Sequence, residues 1–373
     1  MGAKNNSWIT IKKTIRIIVL MTLCNITLTS CQNIMEQKKY EWSAAICTPK
    51  NYPAEIFSGH LILGNTSESG YVYMPFDEVI NSYNLGDNDG SSSGEAKGIS
   101  PKTLDITWMS FTEDKSYSGI FKLDSEKIES QMLNGSERPL WDEEMKKIRI
   151  AKDYHFVINA GLFPGGMVVL YVFSPSNTTI VGKYQAHEDK NVDWGIAHEI
   201  MKNKEGKDGV VRIMTEDLPQ EIKNQIKTGT IPYGYWETLF KKHHITPIVK
   251  AEDKVETIRI NYINGEFESI FLSLNNNIMP IKERAVPRKI NLVWHDINDR
   301  RMESDIFFDE KKSKAIFEKI KTGDSIKFVI EIDRNTKPRE TTGITIKLKT
   351  PSSEIDMKDA IVSQESFTKP NPY

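Results

Sequence analysis

Pro101-Lys102-Thr103-Leu104-Asp105-Ile106-Thr107-Trp108 and Pro287-Arg288-Lys289-Ile290-Asn291-Leu292-Val293-Trp294 are two versions of one pattern. Each places Pro seven residues before Trp and alternates apolar with polar residues between them. Such alternation marks a strand with one buried face. Both stretches lead into a charged turn and a second strand, with Phe thirteen residues after the Trp (Phe121 and Phe307). A helical segment follows each, Ser125 to Leu133 and Glu310 to Ile320. Further along, Phe156-Val157-Ile158 answers to Phe328-Val329-Ile330 with a shifted offset. Gly166 and the strand ending at Pro175 likewise answer to Gly343 and the strand ending at Pro351. Upstream, Glu55 to Leu63 matches the hairpin Ile258 to Ser273 poorly. Generic strand–turn–strand–helix patterning is the competing explanation, but it does not require a kept Pro/Trp/Phe spacing, so duplication is preferred. The expected fold is α+β and β-rich: two related β-sandwich-like modules with helices inserted between and beside them.

The organisation expected around these modules is a signal peptide over 1–30, a lipidated tether over 31–39 and an N-terminal β-rich domain over 40–245. A second, duplicated domain covers 255–356, joined near 246–254, and a flexible tail follows over 357–373. Further strands are expected at Ile56 to Leu63, Tyr71 to Met74, Tyr154 to Ile158, Met167 to Phe173, Phe267 to Leu272, Ile326 to Ile332 and Ile344 to Leu348. Helices are expected from Asp193 through Met201, from Pro219 to Thr228-Gly229, from Tyr235 to His244, and over 310–321. Asp87 to Gly94 is too polar and Gly-rich to pack and reads as a loop.

The N-terminus has the parts of a secretory signal. Lys4, Lys12, Lys13 and Arg16 form a basic start with no acidic residue before Cys31, and an apolar stretch runs from Ile17 to Leu28. It is short and interrupted for a membrane span, which needs about 20 apolar residues, and fits a signal's apolar region. Leu28-Thr29-Ser30-Cys31 then resembles the lipobox of bacterial lipoproteins. That resemblance implies cleavage between Ser30 and Cys31, with acyl groups such as palmitate on Cys31. Two or three chains, at about 0.8 kcal/mol per buried methylene, anchor a protein stably. Gln32-Asn33 lacks an Asp retention signal, and no acidic run follows. The expected location is therefore the outer membrane, facing the periplasm.

Composition narrows the partners. Removing the signal's four basic residues from 49 leaves 45 against 51 acidic ones, a formal charge of about −6. A mildly acidic chain of mixed charge has no electrostatic footprint for nucleic acid. With Cys24 leaving in the signal and Cys31 acylated, Cys47 is the only thiol left. It cannot form an intramolecular disulfide and reads as a buried, inert side chain. Trp42, Trp108, Trp141, Trp194, Trp236 and Trp294 read as core residues, with Trp42 and Trp141 nearest a surface.

His198-Glu199 lacks the second His of a zinc helix, since Met201 and Lys202 stand there. His187-Glu188-Asp189 with Asp193 and His198 would gather metal ligands, but a charged loop before a helix is the plainer reading. His243-His244 point apart on a helix. No Gly-x-Ser-x-Gly elbow is present. Gly161-Leu162-Phe163-Pro164-Gly165-Gly166 leads into a strand, whereas a phosphate loop opens a helix, so it reads as a tight turn with Gly at positive φ. Glu113-Asp114 with Tyr117 occupies a similar turn, where paired carboxylates are expected to be solvated. No catalytic residue, cofactor or metal is expected.

Four ordered blocks carry a family resemblance over about residues 40–190. They are Tyr40-Glu41-Trp42 with Tyr52-Pro53-Ala54-Glu55; Trp108 to Tyr117 with Phe121-Lys122-Leu123; Ala160 to Tyr171; and Lys183-Tyr184-Gln185-Ala186. Together they resemble the bacterial lipoproteins of domain of unknown function 2931. Some members of this and similar families resemble immunity proteins that neutralise phospholipase toxins of contact-dependent secretion systems, so the resemblance implies a protein partner of that kind. The second module has Arg334 to Pro338 where the first has Pro164-Gly165-Gly166. The candidate binding surface is therefore Glu113, Asp114, Tyr117, Pro164, Gly165 and Gly166. The function expected is that of a membrane-anchored binding module. The alternatives are an envelope hydrolase with a carboxylate/His site, or a structural envelope protein.

Overall fold

A computed structural model describes residues 40–366 apart from 66, 77–78, 83–84, 87–93, 143–146, 195–197, 251–254, 273–280, 336–342 and 359. Cys31, Ser30, the tether and most of the Asp87 to Gly94 loop lie outside the described residues. In the first half the strands are β1 (Glu41–Cys47), β2 (Ala54–Ile62), β3 (Tyr71–Tyr73), β4 (Val79–Ile80), β5 (Glu95–Lys97), β6 (Thr103–Ser110) and β7 (Lys115–Lys122). Helix α1 (Ser125–Met132) follows, then β8 (Ser136–Asp142), β9 (Lys147–Asp153), β10 (His155–Leu162), β11 (Met167–Phe173), β12 (Asn177–Gln185) and β13 (His187–Glu188). Three helices, α2 (Lys204–Thr215), α3 (Gln220–Thr228) and α4 (Tyr233–Leu239), lead to the second half. There the order is β14 (His243–Lys250), β15 (Val255–Tyr262), β16 (Phe267–Phe271), β17 (Lys282–Arg284), β18 (Pro287–His295), β19 (Arg301–Phe307), α5 (Glu310–Glu318), β20 (Ile326–Ile332), β21 (Ile344–Lys349), β22 (Glu354–Asp356) and β23 (Ile361–Ser366).

Strand pairing repeats one two-sheet arrangement in both halves. Each module has one sheet of mixed direction: β5-β1-β10-β11-β12 in the first and β17-β14-β20-β21-β22 in the second. In both, the second and third strands run parallel and the other pairs antiparallel. Each also has an antiparallel sheet, β13-β7-β6-β2-β3 and β23-β19-β18-β15-β16. One contact then joins β12 to β16, so the mixed sheet of the first module and the antiparallel sheet of the second form one ten-stranded sheet.

Burial explains the sequence patterns. In the first module Trp42, Ile56, Trp108, Ile158, Leu170 and Val172 fill the space between its two sheets. The opposite face of the mixed sheet is covered too: Phe163, Val169 and Tyr171 share a second core with Ile222, Trp236 and Leu239 from the helices, with Leu218 from the α2–α3 connection, and with the interior of the second module. β11 is thus buried on both faces, which is why Met167-Val168-Val169-Leu170-Tyr171-Val172 is a continuous apolar run. Trp108 and Trp294 are fully buried at equivalent places. Cys47 is a buried free thiol on β1.

Several expectations are corrected. Trp42, placed near a surface, is buried with Nε1 donating to the Ile99 carbonyl 2.7 Å away, because β1 is flanked by both β5 and β10. The side chain of Trp141 is outside the described residues. The helix expected from Asp193 is, among the described residues, a 3-10 turn at Glu199–Lys202; the longer helix starts at Lys204, capped by Asn203. The helix expected to reach His244 ends at Leu239, and His243-His244 open β14. That strand also occupies 246–250 of the expected join at 246–254, because its parallel pairing with β20 supplies the backbone partners. Residues 361–366 of the expected flexible tail form β23, paired to β19. The Phe spacing misleads by one residue. Phe121 opposes Leu104, but the residue opposing the equivalent Ile290 is Ile306. A slip of one position reverses the face, so Phe307 is 43% exposed.

Candidate functional site

The candidate surface assembles from two turns on opposite sheets of the first module. The β6–β7 turn closes with Asp114 in left-handed backbone, φ 51°. It holds Glu113 so that Oε2 accepts from Ser110 Oγ at 2.6 Å and Oε1 from the Tyr117 hydroxyl at 2.7 Å. The β10–β11 turn, Pro164–Gly166, comes from the facing sheet, and the Gly165 amide donates to the same Glu113 Oε1 at 3.0 Å. Both Gly165 and Gly166 have φ 82°, as the turn reading expected. At Gly166 a Cβ would lie 2.7 Å from the Tyr117 ring, so the turn can settle on Tyr117 only with glycine there.

Glu113 is thus a clasp across the end of the sandwich. This corrects the expectation of a solvated carboxylate: Glu113 is partly buried and engaged by side-chain and backbone donors. Tyr117, Pro164 and Gly166 are buried, Gly165 is half-buried and Asp114 is exposed. Tyr233, at the start of α4, lies over Gly165 and is 45% exposed. Gln185 Nε2 donates to the Gly165 carbonyl at 2.7 Å. Ion pairs line the rim: Lys115 with Glu188 at 2.9 Å and Lys207 with Asp114 at 2.8 Å. Burial and the Glu113 carboxylate both push the Tyr117 hydroxyl upward, and they do the same to Tyr233. Lys115 holds the Glu188 carboxyl below its usual range. Both tyrosines stay neutral, and the carboxylate is fully occupied. The arrangement provides a fixed shape with an aromatic tip and a charged rim.

The second module closes the same end differently. Arg334 reaches back from the β20–β21 turn, donating through Nε to the His295 carbonyl at 3.1 Å and through Nη2 to the Asp296 carbonyl at 2.8 Å. Asp296 pairs with Arg300 at 2.6 Å.

The histidines weighed for metal binding are not brought into one ligand set. His187 opposes Ser118 in β13. His198 places Nδ1 3.7 Å from Glu55 Oε1 and packs its ring on Phe57. Among the described residues no group of three or more His, Cys, Asp or Glu is placed to hold a metal ion.

Two features escaped the sequence reading. The first is Tyr233, brought to the clasp by tertiary packing alone. The second is a buried ionic cluster beside the β12–β16 contact. Arg284, 2% exposed, pairs with Glu268 and donates to the Ile245 carbonyl, while Tyr262 and Lys282 also engage Glu268. Burial drives the Glu268 carboxyl up, but Arg284 and Lys282 outweigh it and hold it low. No spacing rule links residues on four different strands.

Comparison with known proteins places the chain. The family model described as Protein of unknown function (DUF2931) matches residues 29–234. No curated protein and no solved structure matches the chain. The match covers more than half of the 373 residues, and the chain belongs to this family.

Proposed function

We propose that this member of the DUF2931 family is a bacterial envelope lipoprotein that binds a protein partner. Acyl chains on Cys31 hold it in the outer membrane, facing the periplasm. The observation that carries the binding reading is the clasped double turn. Two loops from different sheets are locked by Glu113, and a half-exposed Tyr233 from the start of α4 lies over them inside a charged rim. Interfaces draw their affinity from such rigid aromatic anchors, with a polar periphery supplying orientation. The family match begins just ahead of Cys31, which supports reading Leu28 to Cys31 as the processing site. The most concrete partner is a toxin of contact-dependent secretion, held inactive by an immunity-type contact, as the family resemblance implies.

The test has two arms. Labelled palmitate should enter the parent protein and not Cys31→Ser. The purified parent should retain one defined envelope or toxin protein at stoichiometric amounts, and Tyr233→Ala should weaken that retention at least tenfold with unchanged circular dichroism. Equal retention by Tyr233→Ala would remove the clasp from the binding surface. The hydrolase alternative rests on the His198–Glu55 pair. A hydrolytic activity lost in a folded His198→Ala variant would replace the binding reading.

A further inference from the structure

The duplication gives the β12–β16 contact a second, unused version. In the first module β3 stands where β16 stands in the second; in the second module β22 stands where β12 stands in the first. Among the described residues β3 pairs only with β2, and β22 only with β21. The registers fix this residue by residue. Leu61 faces both Leu104 and Val72, as Ile260 faces both Ile290 and Glu268. Tyr71, Val72 and Tyr73 therefore correspond to Phe267, Glu268 and Ser269. Phe173 faces Thr178 as Lys347 faces Asp356, so Ile355 and Asp356 correspond to Asn177 and Thr178.

We propose that copies of this protein join head to tail, β22 of one adding to β3 of the next, repeating between molecules the contact that β12 and β16 make within one. Asp356 then stands opposite Tyr71 and Ile355 opposite Val72, as Thr178 stands opposite Phe267 and Asn177 opposite Glu268. Three observations support a second copy as the occupant. First, Phe267 is 6% exposed and meets Phe173 across the contact at 5.6 Å, whereas Tyr71, Tyr73 and Phe76 are 43%, 40% and 49% exposed. They form one aromatic patch with His60, whose ring meets Tyr71 at 5.0 Å; its counterpart Arg259 lies over Phe267 at 3.8 Å. Second, β3 carries none of the Lys, Pro or charged guards that natural edge strands use against pairing. Third, the internal contact needs only two facing pairs and the Ser269 amide donating to the Ser176 carbonyl at 2.7 Å. The three residues of β22 are long enough for that. A foreign strand would also fit the edge, but only a second copy brings one already built in the place of β12. Such a contact is heterologous and does not close on itself, so it builds open chains.

Sedimentation velocity on the full-length protein in excess detergent tests this over rising concentration. The parent should give dimers, trimers and longer species. Leu63 and Met74 donate to the Gly70 and Gly59 positions across β2–β3, so the amides of residues 71 and 73 face away from β2. Tyr73→Pro removes the outward donor that matches Ser269 and spares the pairing with β2. Asp356→Pro does the same on β22, where Met357 is the inward residue. Each variant alone should stay monomeric, and an equimolar mixture should give dimers and nothing longer. Tyr71→Lys, which leaves the backbone untouched, should raise the concentration needed for assembly at least tenfold. The proposal is overturned by a parent that stays monomeric, a parent that stops at a closed dimer, long species persisting in a folded Pro variant, or a mixture that fails to dimerise.

Discussion

Glu113 receives hydrogen bonds from Ser110, Tyr117 and the Gly165 amide, and its contribution can be separated from theirs. Hydrogen bonds to a charged group contribute roughly 1.5–3 kcal/mol, and a buried donor left without a partner carries a desolvation cost. Glu113→Ala should therefore lower unfolding stability by about 3 kcal/mol in urea titration, and Tyr117→Phe by about 1 kcal/mol. Equal losses would mean that Glu113 acts only through the tyrosine. Much of this site was legible in the sequence, because two turns rich in Gly, Pro and acidic residues stand out locally. Their convergence was not. Residues 113 and 165 are far apart in sequence, and the role of Glu113 as an acceptor follows from which turn it meets.

At the scale of elements, local chemistry predicted well where a segment's own residues decide its shape. Asp124 caps α1 by accepting from the Lys127 amide at 3.0 Å, and Asp309 caps α5 by accepting from Lys312 at 2.8 Å. Each Asp→Ala change should cost about 1 kcal/mol. The two helices are in different modules, so the double variant should lose the sum, measured by chemical denaturation. α3 followed the same logic, opening after Pro219 and closing on Gly229 in left-handed backbone. The segment from His243 did not, since His243 and His244 become strand by pairing with β17 and the rest of β14 by its parallel pairing with β20. The hairpin in the second module is one residue shorter between its paired strands. Matching Phe121 to Phe307 by sequence spacing therefore put the wrong residue on the core face.

For the whole molecule, the ten-stranded sheet passes through both modules, and Arg284 and Glu268 are buried beside the strand contact that joins them. Arg284→Met leaves the Glu268 carboxylate with the half-exposed Lys282 as its remaining cation and should cost about 3 kcal/mol, whereas Arg284→Met with Glu268→Leu should recover most of that. Acid gives an independent measurement. Because the native Glu268 carboxyl titrates below its ordinary value of 4.5, the unfolded chain takes up the proton first as pH falls. Its stabilisation is complete above that value and disappears as pH drops through the native one. Urea titrations at pH 7 and below pH 4.5 should show the parent losing more stability than the double variant. The sequence by itself determined the α+β, β-rich class, the apolar runs of the strands and the duplication, because these depend on periodicity and spacing that survive in one dimension. It also located the turns, since Gly and Pro act through their own backbone limits. Only the tertiary structure decided that one sheet runs through both copies, that Glu113 clasps two turns, and that among the described residues β3 and β22 each pair on one side only. Those are contacts between residues remote in sequence, and which remote residues meet is settled by packing.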